Sequence, residues 1–508
     1  MRTIHTSLAA LVLVASLHAQ NEGDVLFDVD QVITVEFTFA QPNYWDSLVA
    51  NYTTETYMWA GLTITDQSGT YAFDSVGVRL KGNSSYSHPN DKKSMKVDIN
   101  EYVSGQNYHG LKKLNLNNGF KDPTFLREKI FMDYSREMDV LAPRINFANV
   151  YMNGQLKGFF TVAEQVDDQF LDRWIGDDQG NLFSAGDNFG GGTGSEADLK
   201  YYGPDQADYY DRYELKTNEG ANDWSDLLDL TEMIDDATDA YLVAQLPGRW
   251  DWERLCRSLA LDNIFANLDS YINSSRNYYI YHNSTTGDWQ WIKWDANEAF
   301  GQYSGGVSNV IQLAPTYGAA NRPLIQRMMA LPALQQDHHV QYCQALELLT
   351  NDQLDHKIDA LKAIIQASVY ADPNKMYTNA QFDQNIESNI NLGGGGGGGI
   401  SYGLKSFITQ RRSYLEGVLD CSLYTSVTGP EWNGTLPTAY PNPAMDVLGF
   451  KSTETSSAWQ VEVLDLAGRR VLEQQGLGTM DISGLVPGTY VVRTMAEGRS
   501  GQQLIVKQ

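Results

Sequence analysis

The sequence predicts an α+β protein: a lobe dominated by antiparallel sheet, a longer and mostly helical region, then a small all-β sandwich at the C-terminus. Three observations lead there. Residues 30–165 hold alternating, β-prone runs separated by turn signals around a single helix-like stretch. Beyond Gly301, apolar residues recur at helical spacing in one run after another. After a Thr/Gly/Pro-rich stretch at 424–436, short strands return. At 508 residues the chain has room for two or three domains.

Charge narrows the function classes. Sixty-three acidic residues against 37 basic ones give a formal net charge of −26. Such a chain is repelled by nucleic acid and by anionic membrane, so general binders of either are set aside, whereas a local acidic pocket suits cations. The N-terminus reads MRTIHTSLAALVLVASLHAQ, with Arg2, an apolar run Leu8–Leu17 and a small Ala19. This predicts a signal peptide over 1–19 and export; no other stretch approaches the length of a transmembrane span. Cys256, Cys343 and Cys421 are widely spaced, show no metal-ligand pattern and sit in helix-like apolar surroundings. They are expected to be buried free thiols, although one disulfide is open to an exported chain.

In chain order, Val32–Phe39 alternates apolar and polar residues as a half-buried strand. Two further strands, Ser75–Lys81 and Met95–Asn100, flank the loop Gly82-Asn83-Ser84-Ser85. The amides and hydroxyls of that loop, Ser84 included, are candidates to approach phosphates; the bland reading is a plain turn. Lys96 and Lys93 are candidate phosphate-pairing lysines, weighed against solvated surface lysines. Asp122-Pro123 predicts a helix start, Asp as N-cap, with the helix running to about Met138. Glu128 on that helix is a candidate to pair with a strand lysine, weighed against a solvent-exposed role. Ile145–Tyr151 and Leu156–Ala163, joined through Asn153-Gly154, predict a hairpin. Glu164 and Gln165 follow at once. The region 167–184 turns helical and then loops, 186–194 is a Gly/Asp-rich excursion, Tyr213–Lys216 reads as a short strand and Trp224–Ile234 as a helix.

The stretch from Asp251 to Gly301 carries the chemistry. A helix over Trp252–Asn267 gives way to a polar loop, Leu268–Arg276, that contains Asp269. Tyr278–His282 and Trp289–Trp294 then read as aromatic strands joined by the turn Asn283–Gly287, and Asp295 stands where the second strand ends. A hairpin pivoting near Thr286 sets Asn277 and Asp295 across its open end, with the Asp269 loop beside them. One carboxylate near a nucleophile, with an Asn and a second carboxylate to hold a cation, is what phosphoryl transfer requires. Paired acids also serve glycan-processing enzymes, but that reading leaves Asn277 without a part. Trp289, Trp291 and Trp294 read as core. Downstream helices are expected near Pro323–Ala330, Leu334–Leu349, Asp352–Ser368 and Leu404–Leu419. The glycine run Gly393–Gly399 is expected to be a surface loop, because it lacks the flanking Lys-Ser/Thr of a phosphate loop. Strands over Val447–Lys451, Trp459–Asp465, Arg470–Glu473, Gly488–Met495 and Leu504–Lys507 make the terminal sandwich.

Several stretches together resemble the CotH family of atypical protein kinases. They are GVRLKGNSS at Gly77–Ser85, LKKLNLNNGFKDPTFLREKI at Leu111–Ile130, VYMNGQLKGFFTVAEQVD at Val150–Asp167, LDSYINSSRNYYIYHN at Leu268–Asn283 and WIKWDANEAFG at Trp291–Gly301. The resemblance covers about residues 30–420. The tail resembles the type A sorting domain of the type IX secretion system, through YPNP at Tyr440–Pro443, VLDLAGRRV at Val463–Val471, LVPGTYVVR at Leu485–Arg493 and a terminal LIVK.

The resemblance implies a kinase-like domain over 20–423, with an N-lobe of about 30–165 and a helical C-lobe of about 166–423. A linker at 424–436 and a sorting domain at 437–508 follow. It implies ATP and Mg2+ (or Mn2+) as cosubstrate and metal, with a protein Ser/Thr hydroxyl as acceptor. Asp269 would accept the hydroxyl proton, Asp295 and Asn277 would hold the metal, and Lys96 or Lys93 would pair with phosphate. Glu164 and Gln165 would lie at the hinge near the adenine. The chain lacks GxGxxG, HRD and DFG, has Arg276 where a histidine is expected, and has Asn297 where the family often has a second acid. These departures leave room for the alternative, a catalytically inactive kinase-like surface protein.

Overall fold

In the computed structural model the described residues are 22–185, 196–392 and 399–421, followed by 437–441, 444–451, 459–464, 470–476, 478–496 and 499–507. The segments expected to be a signal peptide (1–19), a Gly/Asp-rich excursion (186–194) and a linker (424–436), with most of the glycine run, lie outside them. Two compact units divide the chain, Met1–Val418 and Leu419–Gln508.

The first unit begins with seven strands: β1 (Val32–Thr38), β2 (Met58–Asp66), β3 (Gly69–Lys81), β4 (Ser94–Asp98), β5 (Lys113–Asn117), β6 (Ile145–Met152) and β7 (Gln155–Ala163). They close into a barrel in the order β1-β2-β3-β4-β5-β7-β6. Every neighbouring pair is antiparallel except the closing one, where β1 runs parallel to β6, Val32 opposite Phe147. Alternation along each strand sends Val35, Val78, Val97 and Val162 inward, all 0% exposed, and leaves Arg79, Lys81 and Lys96 on the outer face. Asn153 and Gly154 both take positive φ, 47° and 77°, in the tight β6–β7 turn that the Asn-Gly pair predicts.

The predicted helix after Asp122 starts later than expected, at Arg127, and runs to Glu137. Lys121 and Phe125 sit at φ 57° and 58°, which delays the helix. The Asp122 carboxylate still caps it from a distance, accepting the Arg127 N–H at 2.9 Å and the Thr124 N–H at 2.9 Å. Arg127 itself is buried and donates to Asn385 and the Tyr402 carbonyl, anchoring this helix to the helical region.

That region contains a second sheet in the order β11-β10-β8-β9. Its strands are β8 (Asn181–Ala185), β9 (Glu214–Leu215), β10 (Tyr278–His282) and β11 (Trp289–Lys293). β8 falls where a loop was expected, because its residues pair with both β9 and β10 rather than standing alone. Around the sheet lie helices including Trp252–Ile264, Pro323–Ala330, Pro332–Leu348, Asn351–Ala371, Asn379–Glu387 and Leu404–Val418. A short pair, β12 (Ile390–Asn391) and β13 (Ile400–Ser401), flanks the glycine run. No described helix is long and apolar enough to cross a membrane. The expectation of three free thiols is corrected: Cys343 and Cys421 are disulfide-bonded, and Cys256 alone is a free, buried thiol.

The barrel and the helical region are joined by a salt bridge between groups with no exposed surface. Lys92 Nζ lies 2.7 Å from Asp372, which also accepts the Phe159 N–H at 3.0 Å. Gly158 is required beside it, since a Cβ there would come within 2.6 Å of the Asp372 carboxylate.

The second unit is a pair of small sheets. One is β14 (Thr438–Tyr440), β15 (Val447–Lys451) and β18 (Met480–Asp481). The other runs β17 (Arg470–Gln475), β16 (Gln460–Leu464), β19 (Gly488–Ala496) and β20 (Arg499–Lys507). Leu448, Val461, Val463, Tyr490, Val492 and Ile505 share one core between them.

Candidate active site

The β10–β11 hairpin forms with Tyr278 opposite Lys293. That register leaves Asn277 and Asp295 just beyond its open end. Both leave the extended conformation abruptly, at φ 60° and 49°, the left-handed region that Asn and Asp tolerate best. The Asn277 N–H donates to the Ala185 carbonyl at 2.9 Å, so β8 fixes where the turn occurs. Asp269 arrives from the loop after helix Trp252–Ile264. The Asn277 amide group donates to the Asp269 carbonyl oxygen at 2.9 Å and to its carboxylate at 3.1 Å. Its own carbonyl oxygen is thereby the coordinating group left on that side chain. Arg276 stands 3.8 Å from the Asp269 carboxylate.

Behind these residues the scaffold is rigid. Lys293, two residues before Asp295, forms a buried ion pair with Asp262 at 2.6 Å and donates to the Ser258 carbonyl. Asp262 also accepts from Asn267, two residues before Asp269. Burial raises the Asp262 carboxyl pKa and lowers that of Lys293, each opposed by its partner's charge. Arg411 threads between, fully buried, donating to the carbonyls of Asn263, Ile264, Ile311 and Leu313. It gathers the C-terminal end of the helix from which the Asp269 loop departs.

A cavity opens between this constellation and the barrel. Its walls include Asp269, Asn277 and Asp295 on one side, and Lys81, Glu128 and the Gly82–Ser85 loop on the other. Lys81, the last residue of β3, places its ammonium 5.5 Å from the Trp294 ring centroid. Burial pulls its pKa down to about 8, while the charges of Asp295 and Glu128 hold it up. Glu128 accepts from Asn117 at 3.1 Å and from Thr161 at 3.4 Å, and burial raises its pKa. The rim is tied across: Lys121 binds both oxygens of Glu298, at 3.0 and 2.9 Å, and Asn297 donates to the Phe120 carbonyl at 2.9 Å.

Of the residues singled out from the sequence, Asp269, Asn277, Asp295 and Ser84 line this one cavity. The other four do not. Lys93 is spent on the carbonyls of Tyr86 and His88, where it secures the loop. Lys96 lies on the same barrel face as Lys81 but outside the cavity wall. Glu164 is buried in an ion pair with Arg144 at 2.6 Å. Gln165 accepts from Asn115, in the middle of β5, at 3.1 Å. Sequence reasoning missed Lys81. The available signal was its place at the end of a strand, on the polar face, immediately before the Gly82 loop.

A half-buried lysine facing paired acids and an amide is a phosphoryl-transfer type of donor set. The comparisons with known proteins agree. The family model described as "CotH kinase protein" matches residues 78–415, and that of a "secretion system C-terminal sorting domain" matches 438–508. The chain belongs to the CotH kinase family. It is similar to the inner spore coat protein H of Bacillus subtilis (strain 168), 27% identical over 310 residues, spanning 59% of this chain and 80% of that protein. A weaker likeness links it to the HipA, HipB and operator DNA complex of Shewanella oneidensis MR-1. That match is 10% identical with a TM-score of 0.31, over 64% of this chain and 64% of that one. The protein is thus kinase-like, a family character that implies ATP and a divalent cation in general terms. Its sorting domain marks it for the type IX route and export to the cell surface.

Proposed function

We propose that the protein is an exported protein kinase that transfers the γ-phosphoryl group of ATP to Ser or Thr hydroxyls. The observation that carries this reading is the convergence of Asp269, Asn277, Asp295 and Lys81 on one cavity. Asp269 accepts the acceptor hydroxyl's proton, and its carboxylate is oriented for that by the Asn277 amide. Lys81, held between Asp295 and Glu128, pairs with a phosphate and keeps it in line. The Gly82–Ser85 loop, with Ser84, covers the phosphates.

A divalent cation fits the donors present. The Asp295 carboxylate and the Asn277 carbonyl oxygen are hard oxygen ligands of the kind Mg2+ or Mn2+ takes. When bound, such an ion neutralises phosphate charge. The Lys121 bridge holds Glu298 at the cavity edge, beside the site where Asn297 replaces a family acid.

The test is label transfer from γ-labelled ATP to the protein itself or a generic acceptor. Asp269→Ala and Asp295→Ala are each expected to lower it ~100-fold or more, and chelation is expected to abolish it. Equal labelling by wild type and both variants would establish the inactive, binding-only alternative instead.

A further inference from the structure

A second cavity, of about 140 Å³, lies at the closed end of the β10–β11 hairpin and shares no lining residue with the first. Part of its lining is a single face of helix Ser225–Asp236, where Asp226, Asp229, Leu230 and Met233 fall at i, i+3, i+4 and i+7. The rest joins Arg249, the last residue of the turn Leu246–Arg249, to His282 and Trp289. His282 and Trp289 stand directly opposite each other in the hairpin, their rings stacked 4.7 Å apart and 16° from parallel. Strands of five residues, rising about 3.3 Å per residue, put this cavity roughly 17 Å from the hairpin end that carries Asn277 and Asp295.

Charge is unevenly satisfied around this cavity. Asp226 is engaged through both oxygens: one accepts the Leu227 N–H at 2.8 Å, and the other lies 3.0 Å from both His282 Nδ1 and the Asn181 amide nitrogen. His282 is engaged on its other side too, with Nε2 3.3 Å from the Gly287 carbonyl. Asp229 and Arg249 differ. Both are exposed, and among the described residues neither side chain has an ion-pair or hydrogen-bond partner. A carboxylate and a guanidinium thus open unpaired onto one cavity, together with apolar surface from the buried Leu230, Met233 and Trp289. A molecule with one ammonium, one carboxylate and an apolar stem satisfies all three at once. In a chain of net charge −26 any cation is attracted; Arg249 turns that general attraction into a preference for a ligand bearing both charges. We propose that this cavity binds a free α-amino acid with an apolar side chain. Its carboxylate pairs with Arg249, its ammonium with Asp229, and its side chain packs on Leu230, Met233 and Trp289. The small volume favours a free amino acid, whose two charges are borne on one carbon. Nothing in this second cavity depends on phosphoryl transfer in the first.

The experiment is calorimetric titration of the full-length protein with L-leucine, N-acetyl-leucine, leucinamide and glycine. Leucine is expected to bind. N-acetyl-leucine, without the ammonium, and leucinamide, without the carboxylate, are each expected to bind about tenfold more weakly, the loss of one charge-assisted contact. Glycine, without a side chain, is expected to be weaker as well. Arg249→Gln and Asp229→Asn alter exposed side chains, so thermal unfolding is expected to stay unchanged while each weakens leucine about tenfold. Arg249→Gln is also expected to erase the preference for leucine over leucinamide, and Asp229→Asn the preference over N-acetyl-leucine, a crossed pattern that a merely structural role does not produce. No leucine binding at millimolar concentration, equal binding of leucine and leucinamide by the wild type, or unchanged leucine affinity in both variants overturns the proposal. Asp269→Ala is expected to stop phosphoryl transfer and leave leucine affinity where it was, so failure at one cavity is read apart from failure at the other.

Discussion

Lys81 shows how one side chain is prepared by its surroundings. Its ammonium is buried, with Trp294 on one side and the charges of Asp295 and Glu128 acting on it. Removing it leaves two carboxylates facing each other across the cavity without a cation, so Lys81→Met is expected to lose phosphoryl transfer by ~100-fold or more. Single-turnover labelling at saturating ATP measures that loss. Lys81 was also the hardest residue to see in the sequence. In GVRLKG it reads as the polar half of an alternating strand, no different from Arg79. Its place just before the Gly82 loop is a local signal, but the approach of the β11 end, more than 200 positions away, is not.

At the scale of elements, the Lys293–Asp262 pair ties β11 to helix Trp252–Ile264, and through Asn267 to the Asp269 loop. Breaking it from one side leaves a buried, unpaired charge. Lys293→Met is expected to destabilise the first unit by about 3–5 kcal/mol, and the double change Lys293→Met/Asp262→Leu to recover most of that. Urea unfolding of the single and double variants measures it. Helix Pro332–Leu348 carries a pH-dependent counterpart. His338 is fully buried beside Tyr342 and His339, with Nε2 lacking a hydrogen-bond partner, and burial lowers its pKa from 6.5 to about 4. The folded state keeps it neutral while the unfolded chain protonates below pH 6.5. Its contribution is therefore intact above pH 6.5 and falls between pH 6.5 and 4. The loss is about 3 kcal/mol in all, and His338→Phe should flatten that slope in thermal unfolding.

Elements with strong local signatures were legible in the sequence. β10, helix Pro323–Ala330 and the Asn153-Gly154 turn stand where period and turn chemistry put them. The misses share a cause. β8 exists because partners distant in sequence, β9 and β10, pair with it. The Asp122 cap is real, but it acts on Arg127 across a loop held by two left-handed residues, so the N-cap signal named the right side chain and the wrong first turn. For the site, the hairpin made Asp269, Asn277 and Asp295 readable together, whereas the barrel's contribution depends on closure and was not.

At the scale of the molecule, two units divide the tasks: residues 78–415 carry the kinase-family match and 438–508 the sorting match. Deleting 437–508 is expected to abolish delivery to the cell surface, and fusing that segment behind an exported reporter is expected to confer it. Surface proteolysis of intact cells checks both.

The Lys92–Asp372 bridge sets a clock on the first unit. Lys92 stands in the loop before β4, in a barrel whose last strand ends at Ala163, yet its counter-charge arrives 280 residues further along the chain. Until Asp372 is made, that ammonium has no counter-charge to be buried with, and burying it alone would cost several kcal/mol. Closure is delayed for a second reason, since β1 has no parallel neighbour until β6 exists. The nascent N-terminal half thus gains little by collapsing early. The barrel side of the cavity becomes firm only when the helix that ends at Ala371 has docked, so the first unit is nearly complete before its candidate site is.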